Sequence, residues 1–146
     1  MLEAMRLLSW NCQGVGNPWT GCSLHKIVRE QAPTACFLME TRLEKEGFEK
    51  LYGELLFLNK VIVKHPNSRD GLALIWKNEV QLQLVNYTTN HILVKVREDD
   101  GFEWWLIGFY GWLGACQWFK SWELLNHIRT FVEGPWLCIG DLNAIS

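Results

Sequence analysis

Residues 134–146 read Gly-Pro-Trp-Leu-Cys-Ile-Gly-Asp-Leu-Asn-Ala-Ile-Ser. Gly134-Pro135 breaks whatever precedes it, and Trp136 to Ile139 is an apolar run of strand length. That strand delivers a carboxylate, Asp141, and an amide, Asn143, onto a turn. A buried strand has no packing need for either group. The question for the rest of the chain is whether its other apolar strands also end in polar residues.

They do. Arg6 to Cys12 reads as a short strand that brings Asn11 to its end, followed by a Gly-rich turn at 13–18. Ala35 to Met39 is continuously apolar and runs into Glu40-Thr41-Arg42. Phe102 to Tyr110 follows a tight hairpin turn at Asp99-Asp100-Gly101 and ends in a phenol before Gly111. Between these lie other elements. Helical spacing covers Ser23 to Gln31, with Ser23 as cap, Leu24, Ile27 and Val28 on one face and Pro33 closing it. The charged stretch Glu44 to Lys50 reads as a short helix. Leu55 to Lys64 and Gly71 to Trp76 read as strands joined by a polar turn at 65–70. Val80 to Leu84 alternates with period two and pairs with Ile92 to Val96 across residues 86–90, with one wet face. Trp118 to Val132 has helical spacing, with Leu124, Leu125, Ile128 and Val132 on one stripe. Strands predominate and helices flank them, which is a layered α/β or α+β architecture.

Composition sets the bounds. The chain has 146 residues, 49% of them hydrophobic and 13% aromatic, enough for a core in one domain, residues 1–146. The net charge of −2 carries no global basic footprint for nucleic acid. An enzyme that meets a phosphate backbone through a metal needs less positive charge than a repressor does. Five Cys are scattered without a C-x-x-C pair, which speaks against structural zinc and for reduced thiols inside a cell. Neither a secretory signal nor an apolar run of membrane-spanning length is visible. Asn86-Tyr87-Thr88 matches a glycosylation acceptor by chance.

Taken singly, each polar strand end has a bland reading. Asn11 forms turns readily, Glu40 can pair with Arg42, Tyr110 can be a core aromatic with its hydroxyl at the rim, and Asp141-Leu142-Asn143 can be an Asx-turn. Taken together they suit one chemistry. Two carboxylates with neutral amides offer oxygen ligands, which favour Mg²⁺ or Mn²⁺ over zinc. A carboxylate beside such an ion can deprotonate a water, and Asn and Tyr can stabilise charge building on a phosphoryl group. Other templates fail. Gly14-Val15-Gly16 lacks the third Gly of a dinucleotide fingerprint because residue 19 is Trp. No G-x-x-x-x-G-K-[ST], H-E-x-x-H or G-x-S-x-G occurs. The four His (25, 65, 91, 127) stand at unrelated spacings and read as surface or turn residues.

Five stretches in order carry a resemblance: Leu7 to Gly14, Phe37 to Arg42, Gly71 to Trp76, Gly108 to Gly111 and Pro135 to Asn143. They resemble the endonuclease/exonuclease/phosphatase superfamily, in wording nearest the endonuclease domain of plant non-LTR (LINE-type) retrotransposons. The resemblance implies a four-layer αββα sandwich and Mg²⁺-dependent cleavage of a DNA phosphodiester. It implies that Glu40 is the metal ligand with Asn11 close by and sharing the site, and that Tyr110 contacts the phosphate. It further implies that Asp141 orients or activates the nucleophilic water and Asn143 positions the scissile phosphate. Nuclear action is implied too, although no Lys/Arg-rich run supports it. A phosphatase or repair-type nuclease of the same superfamily, and a non-catalytic binding remnant, are the alternatives.

Asp70 stands before Gly71, where retrotransposon versions carry a second Gly. The family's later metal-side Asp and its Ser-Asp-His element match nothing in these residues, so the resemblance predicts a domain cut short after Gly140-Asp141-Leu142-Asn143 and inactive alone. An incomplete sandwich uncovers apolar area at about 25 cal/mol per Å², from which self-association and poor stability are expected.

Overall fold

The computed structural model describes residues 5–12, 18–42, 57–64, 71–112 and 114–143; of residues 18–22 and 115 it describes the backbone only. The Gly-rich turn at 13–17, the expected helix at 44–50, the start of the strand expected from Leu55 and the turn at 65–70 lie outside the described residues. Contacts divide the chain into two compact units, residues 1–81 and 82–146. Each contains a four-stranded mixed sheet.

In the first unit the strands are β1 (Leu7–Asn11), β2 (Ala35–Met39), β3 (Asn59–Lys64) and β4 (Gly71–Trp76), in spatial order β1-β2-β4-β3. β1 and β2 are parallel, and the other pairs antiparallel. Parallel neighbours cannot be joined by a hairpin. The crossover here is α1 (Pro18–Gln31). Its Leu24 and Val28 pack on Cys36, Leu38, Ala73 and Ile75, the face made by alternate residues of β2 and β4. Leu24 is fully buried, and burial of one such side chain is worth about 1.5–3 kcal/mol. The helix begins five residues earlier than the sequence pattern suggests, so Ser23 is an interior residue and not its cap. Proline suits the first helical position, where its missing N–H leaves no bond unmade. β2 and β4 are buried along their whole length, which explains why neither alternates in sequence.

In the second unit the strands are β5 (Gln81–Thr88), β6 (His91–Arg97), β7 (Glu103–Tyr110) and β8 (Trp136–Asp141), in that spatial order. β6 and β7 are an antiparallel hairpin. Its turn is closed by Gly101 N–H to Glu98 O at 3.0 Å, with Gly101 at φ 90°. β7 and β8 are parallel, and their crossover contains α2 (Trp118–Arg129). Ile128, Leu124, Leu125 and, just past the helix, Val132 pack on Leu93, Ile107, Phe109 and Cys138. β5 departs from expectation twice. It runs on to Thr88, so the turn is only Thr89-Asn90, and its alternation does not bury one face. As the sheet's outer strand it leaves Leu84, Val85 and Tyr87 exposed and only Leu82 and Asn86 half-buried.

Cys12 and Cys36 are buried free thiols, while Cys116 is exposed. Burial pushes both buried thiols up to about 12, and the negative charge of Glu40 acts in the same direction on Cys12. A thiol reagent at neutral pH is therefore expected to modify Cys116 in the native protein and to reach Cys12 and Cys36 only as the protein unfolds. Peptide mapping of the labelled sites checks this, and native labelling of Cys12 at the rate of Cys116 would contradict it.

Candidate active site

Both parallel strand pairs end in the residues that the sequence singled out. In the first unit the register is clamped at the strand starts. The Arg6 backbone N–H donates to Thr34 Oγ1 (2.9 Å) and its carbonyl accepts from the Thr34 hydroxyl (3.0 Å) and backbone N–H (2.8 Å). From that clamp the strands run in step to Asn11 opposite Met39. Asn11 and the next residue of the other chain segment, Glu40, therefore emerge at the same carboxyl end. The Asn11 side-chain amide donates to Glu40 Oε2, and Arg42 Nη2 meets Glu40 Oε1 at 2.9 Å.

Glu40 and Arg42 both have φ 50°, a left-handed conformation that non-glycine residues adopt at a cost and that collects at functional sites. Buried Thr41 between them anchors the bend, its N–H donating to Gly71 O at 3.2 Å. Gly71 has to be small here. A Cβ on it would stand 2.6 Å from Thr41 Oγ1.

In the second unit the clamp is Trp105, whose backbone N–H donates to Pro135 O (3.0 Å) and whose indole N–H donates to Glu133 O (3.0 Å). β7 and β8 then run in step until Tyr110 stands opposite Asp141. Tyr110 is buried, whereas Asp141 is exposed. Asp141 Oδ1 accepts the Asn143 N–H at 2.9 Å, an Asx-turn that orients the carboxylate. The Asn143 side-chain amide donates to Gly111 O (2.8 Å), and Gly111 N–H donates to Asp141 O (2.7 Å). The turn is thereby fastened to the residue after Tyr110.

The structure thus brings Asn11 together with Glu40, and Tyr110 with Asp141 and Asn143. The two groups belong to different compact units. Among the described residues no group of three or more His, Cys, Asp and Glu is built as a metal cluster. A hard cation that keeps most of its water needs only one or two protein carboxylates. Glu40 with the Asn11 amide fits that demand, with Arg42 as the carboxylate's present counter-charge.

Sequence reasoning missed four contributors. Thr41 with Gly71 sets the Glu40 bend, and Asn90 bonds Tyr110. His91 is not a surface or turn residue. It is 3% exposed and opens β6, with Nε2 on Asn86 Oδ1 (2.7 Å) and Nδ1 on Thr88 Oγ1 (2.8 Å). The Asn-His pair before an apolar strand was the available signal.

Burial, with His127 adding repulsion, lowers His91 from 6.5 to about 4. Its neutral form is native, so below pH 6.5 the unfolded chain takes up a proton that the folded one refuses until about 4. Stability is complete above that window and falls as pH drops through it. Urea midpoints across pH 4–7 check this, and His91→Gln is expected to remove that part of the slope. A second expectation concerns Gly111, where a Cβ would come within 1.8 Å of Leu142 O. Gly111→Ala should destabilise by roughly 1–3 kcal/mol or more through overpacking. An unchanged denaturation midpoint would contradict that geometry.

No family model matches the sequence, and no curated protein matches it. Solved structures do match. The human Nocturnin catalytic domain with bound sulfate superposes with a TM-score of 0.70 at 19% identity over 96% of this chain and 65% of its own. ANGEL2, a 2′,3′-cyclic phosphatase in complex with adenosine-2′,3′-vanadate, gives a TM-score of 0.73 at 11% identity, covering 95% of this chain and 53% of its own. The endonuclease domain of TRAS1, a telomere-specific non-LTR retrotransposon, gives 0.64 at 16% identity, covering 98% and 61%. The chain shares the fold of these structures, the fold that its resemblance to the endonuclease/exonuclease/phosphatase superfamily implies. This chain spans less than two thirds of each of those solved chains. Among the described residues no helix is long and apolar enough to cross a membrane.

Proposed function

We propose that this chain is a divalent-metal-dependent phosphodiester hydrolase of the endonuclease type, acting on DNA and related to the endonucleases of LINE-type retrotransposons. One observation carries the reading. Two parallel strand pairs each deliver a matched polar pair at their carboxyl ends, Asn11 with Glu40 and Tyr110 with Asp141. In layered α/β folds, ligands gather outside the carboxyl ends of such strands.

In this reading Glu40 and the Asn11 amide hold Mg²⁺, or Mn²⁺ in its place. The bound ion would supply charge to offset that developing on the phosphoryl oxygens. Asp141, its carboxylate oriented by the Asn143 N–H, accepts the proton of the attacking water. Tyr110 and Asn143, joined through Gly111 to the same turn, would contact the phosphate. Arg42 neutralises Glu40 until the metal arrives. DNA is the partner in this proposal, the nucleus its place of action, and residues 1–146 act as one domain. The family's later Asp and Ser-Asp-His element match no stretch of these residues. We therefore propose that they alone turn over far more slowly than a whole enzyme and associate through their exposed apolar surface. The likeness to ANGEL2 favours a second reading, hydrolysis of a cyclic or terminal phosphate ester.

Nicking of supercoiled plasmid, measured with the protein in excess over DNA, tests both readings. The expected result is Mg²⁺-dependent nicking that falls by about 10²-fold or more in Glu40→Ala and by about 10²–10⁴-fold in Asp141→Asn. Nicking that survives EDTA, or Glu40→Ala, would overturn the proposal. Release of phosphate or opening of a 2′,3′-cyclic nucleotide without any nicking would favour the phosphatase reading.

A further inference from the structure

The end of β7 is held by a residue that no catalytic role accounts for. Asn90, second residue of the β5–β6 turn, bonds both main-chain groups of Tyr110. Its backbone carbonyl accepts the Tyr110 N–H at 2.8 Å, and its side-chain amide donates to the Tyr110 carbonyl at 2.7 Å. In a regular antiparallel ladder the second bond would come from a backbone N–H. Here the Asn90 backbone N–H points elsewhere, to Thr88 Oγ1 at 3.1 Å, and the side chain stands in for it. The ladder is thereby extended one residue past Phe109, to the residue that carries the phenol.

The turn is itself fixed. The Thr88 hydroxyl can donate one hydrogen bond and accept others. It accepts from Asn90 N–H and bonds His91 Nδ1, while His91 Nε2 bonds Asn86 Oδ1. An amide carbonyl only accepts, so Nε2 carries the proton, Nδ1 accepts and Thr88 donates to it. Neutral, buried His91 thus aims the Thr88 lone pair at Asn90. Thr89 Oγ1 donates to Asn90 Oδ1 at 3.2 Å, which turns the amide nitrogen toward Tyr110. Beyond Tyr110 the same chain of bonds continues through Gly111 to the Asp141 carbonyl and the Asn143 amide.

We propose that Asn90 is a positioning residue for Tyr110, Asp141 and Asn143, held in place by Thr88 and His91. The inference rests on the proposed phosphodiesterase reading for its consequence, though its geometry does not. Aspartate has the same shape but, ionised, cannot donate. Alanine has no polar group. Displacement of reacting groups by ~1 Å can cost ~10²-fold in rate.

The test combines two measurements on Asn90→Asp and Asn90→Ala. Backbone hydrogen exchange by NMR is expected to speed at least about tenfold at Tyr110, Gly111 and Asn143, while the amides of β2 and β4 keep wild-type rates. In single-turnover plasmid nicking, the saturating rate is expected to fall about 10–100-fold, with half-saturating protein concentration changed less than twofold. His91→Gln, which keeps a donor, is expected to retain more of the rate than Asn90→Ala. Exchange and rate both at wild-type values would overturn the inference. Slowed nicking with exchange raised throughout the protein would also overturn it, since general loosening would then explain the loss. If wild-type protein did not nick, the function would fail while the exchange result alone decided the positioning.

Discussion

The structure turns on the register of two parallel strand pairs. A parallel pair in register ends together, so whatever follows each strand appears side by side. The register of β1 on β2 is set where both begin, by the Thr34 hydroxyl and backbone on Arg6. That of β7 on β8 is set by Trp105 on Pro135 and Glu133. A slip of one residue at either clamp would turn every side chain of the slipped strand to the opposite face. It would also separate Asn11 from Glu40, or Tyr110 from Asp141. The crossover helices make the arrangement possible, because each covers one sheet face while carrying the chain back to the starting end.

Geometry at the strand ends is then refined by backbone devices, beside the Arg42–Glu40 ion pair. Glu40 sits in a left-handed conformation tied down by Thr41 and Gly71. Asp141 follows Gly140, whose φ of 124° and close approach to Phe109 O exclude a side chain. Asn143 also has φ above zero, which its short polar side chain tolerates better than most. The carboxylates are therefore held by the chain itself. Such rigidity is what a site needs if it is to meet a transition state without reorganising.

Much of this was legible in the sequence. Uninterrupted apolar runs such as Ala35–Met39 and Gly71–Trp76 announced buried strands, and Asp99-Asp100-Gly101 announced its hairpin. The polar residues at the strand ends could be named because apolar strands do not need them. What was hidden depended on partners far away in sequence. No local pattern shows that Thr34 clamps Arg6, or that Asn11 joins the Glu40–Arg42 pair that the sequence suggests. β5 misled because alternation signals a buried face only when something covers it, and among the described residues Leu84 stays exposed at the sheet's margin. The start of α1 was obscured because Pro18 ends one plausible turn and begins the helix equally well. His91 was set aside since its hydrogen-bond partners, Asn86 and Thr88, read as turn residues until the strand was seen to include them.

If the carboxyl end of the β1–β2 pair holds a divalent cation, as proposed, paramagnetic relaxation by Mn²⁺ will report it residue by residue. With substoichiometric Mn²⁺, the NMR signals of the Asn11 side chain and of the Cys12 and Thr41 amides should broaden first, and Glu40→Gln should abolish that selectivity. Broadening that is absent, that is spread evenly over surface carboxylates such as Asp99 and Asp100, or that survives Glu40→Gln would contradict a cation site there.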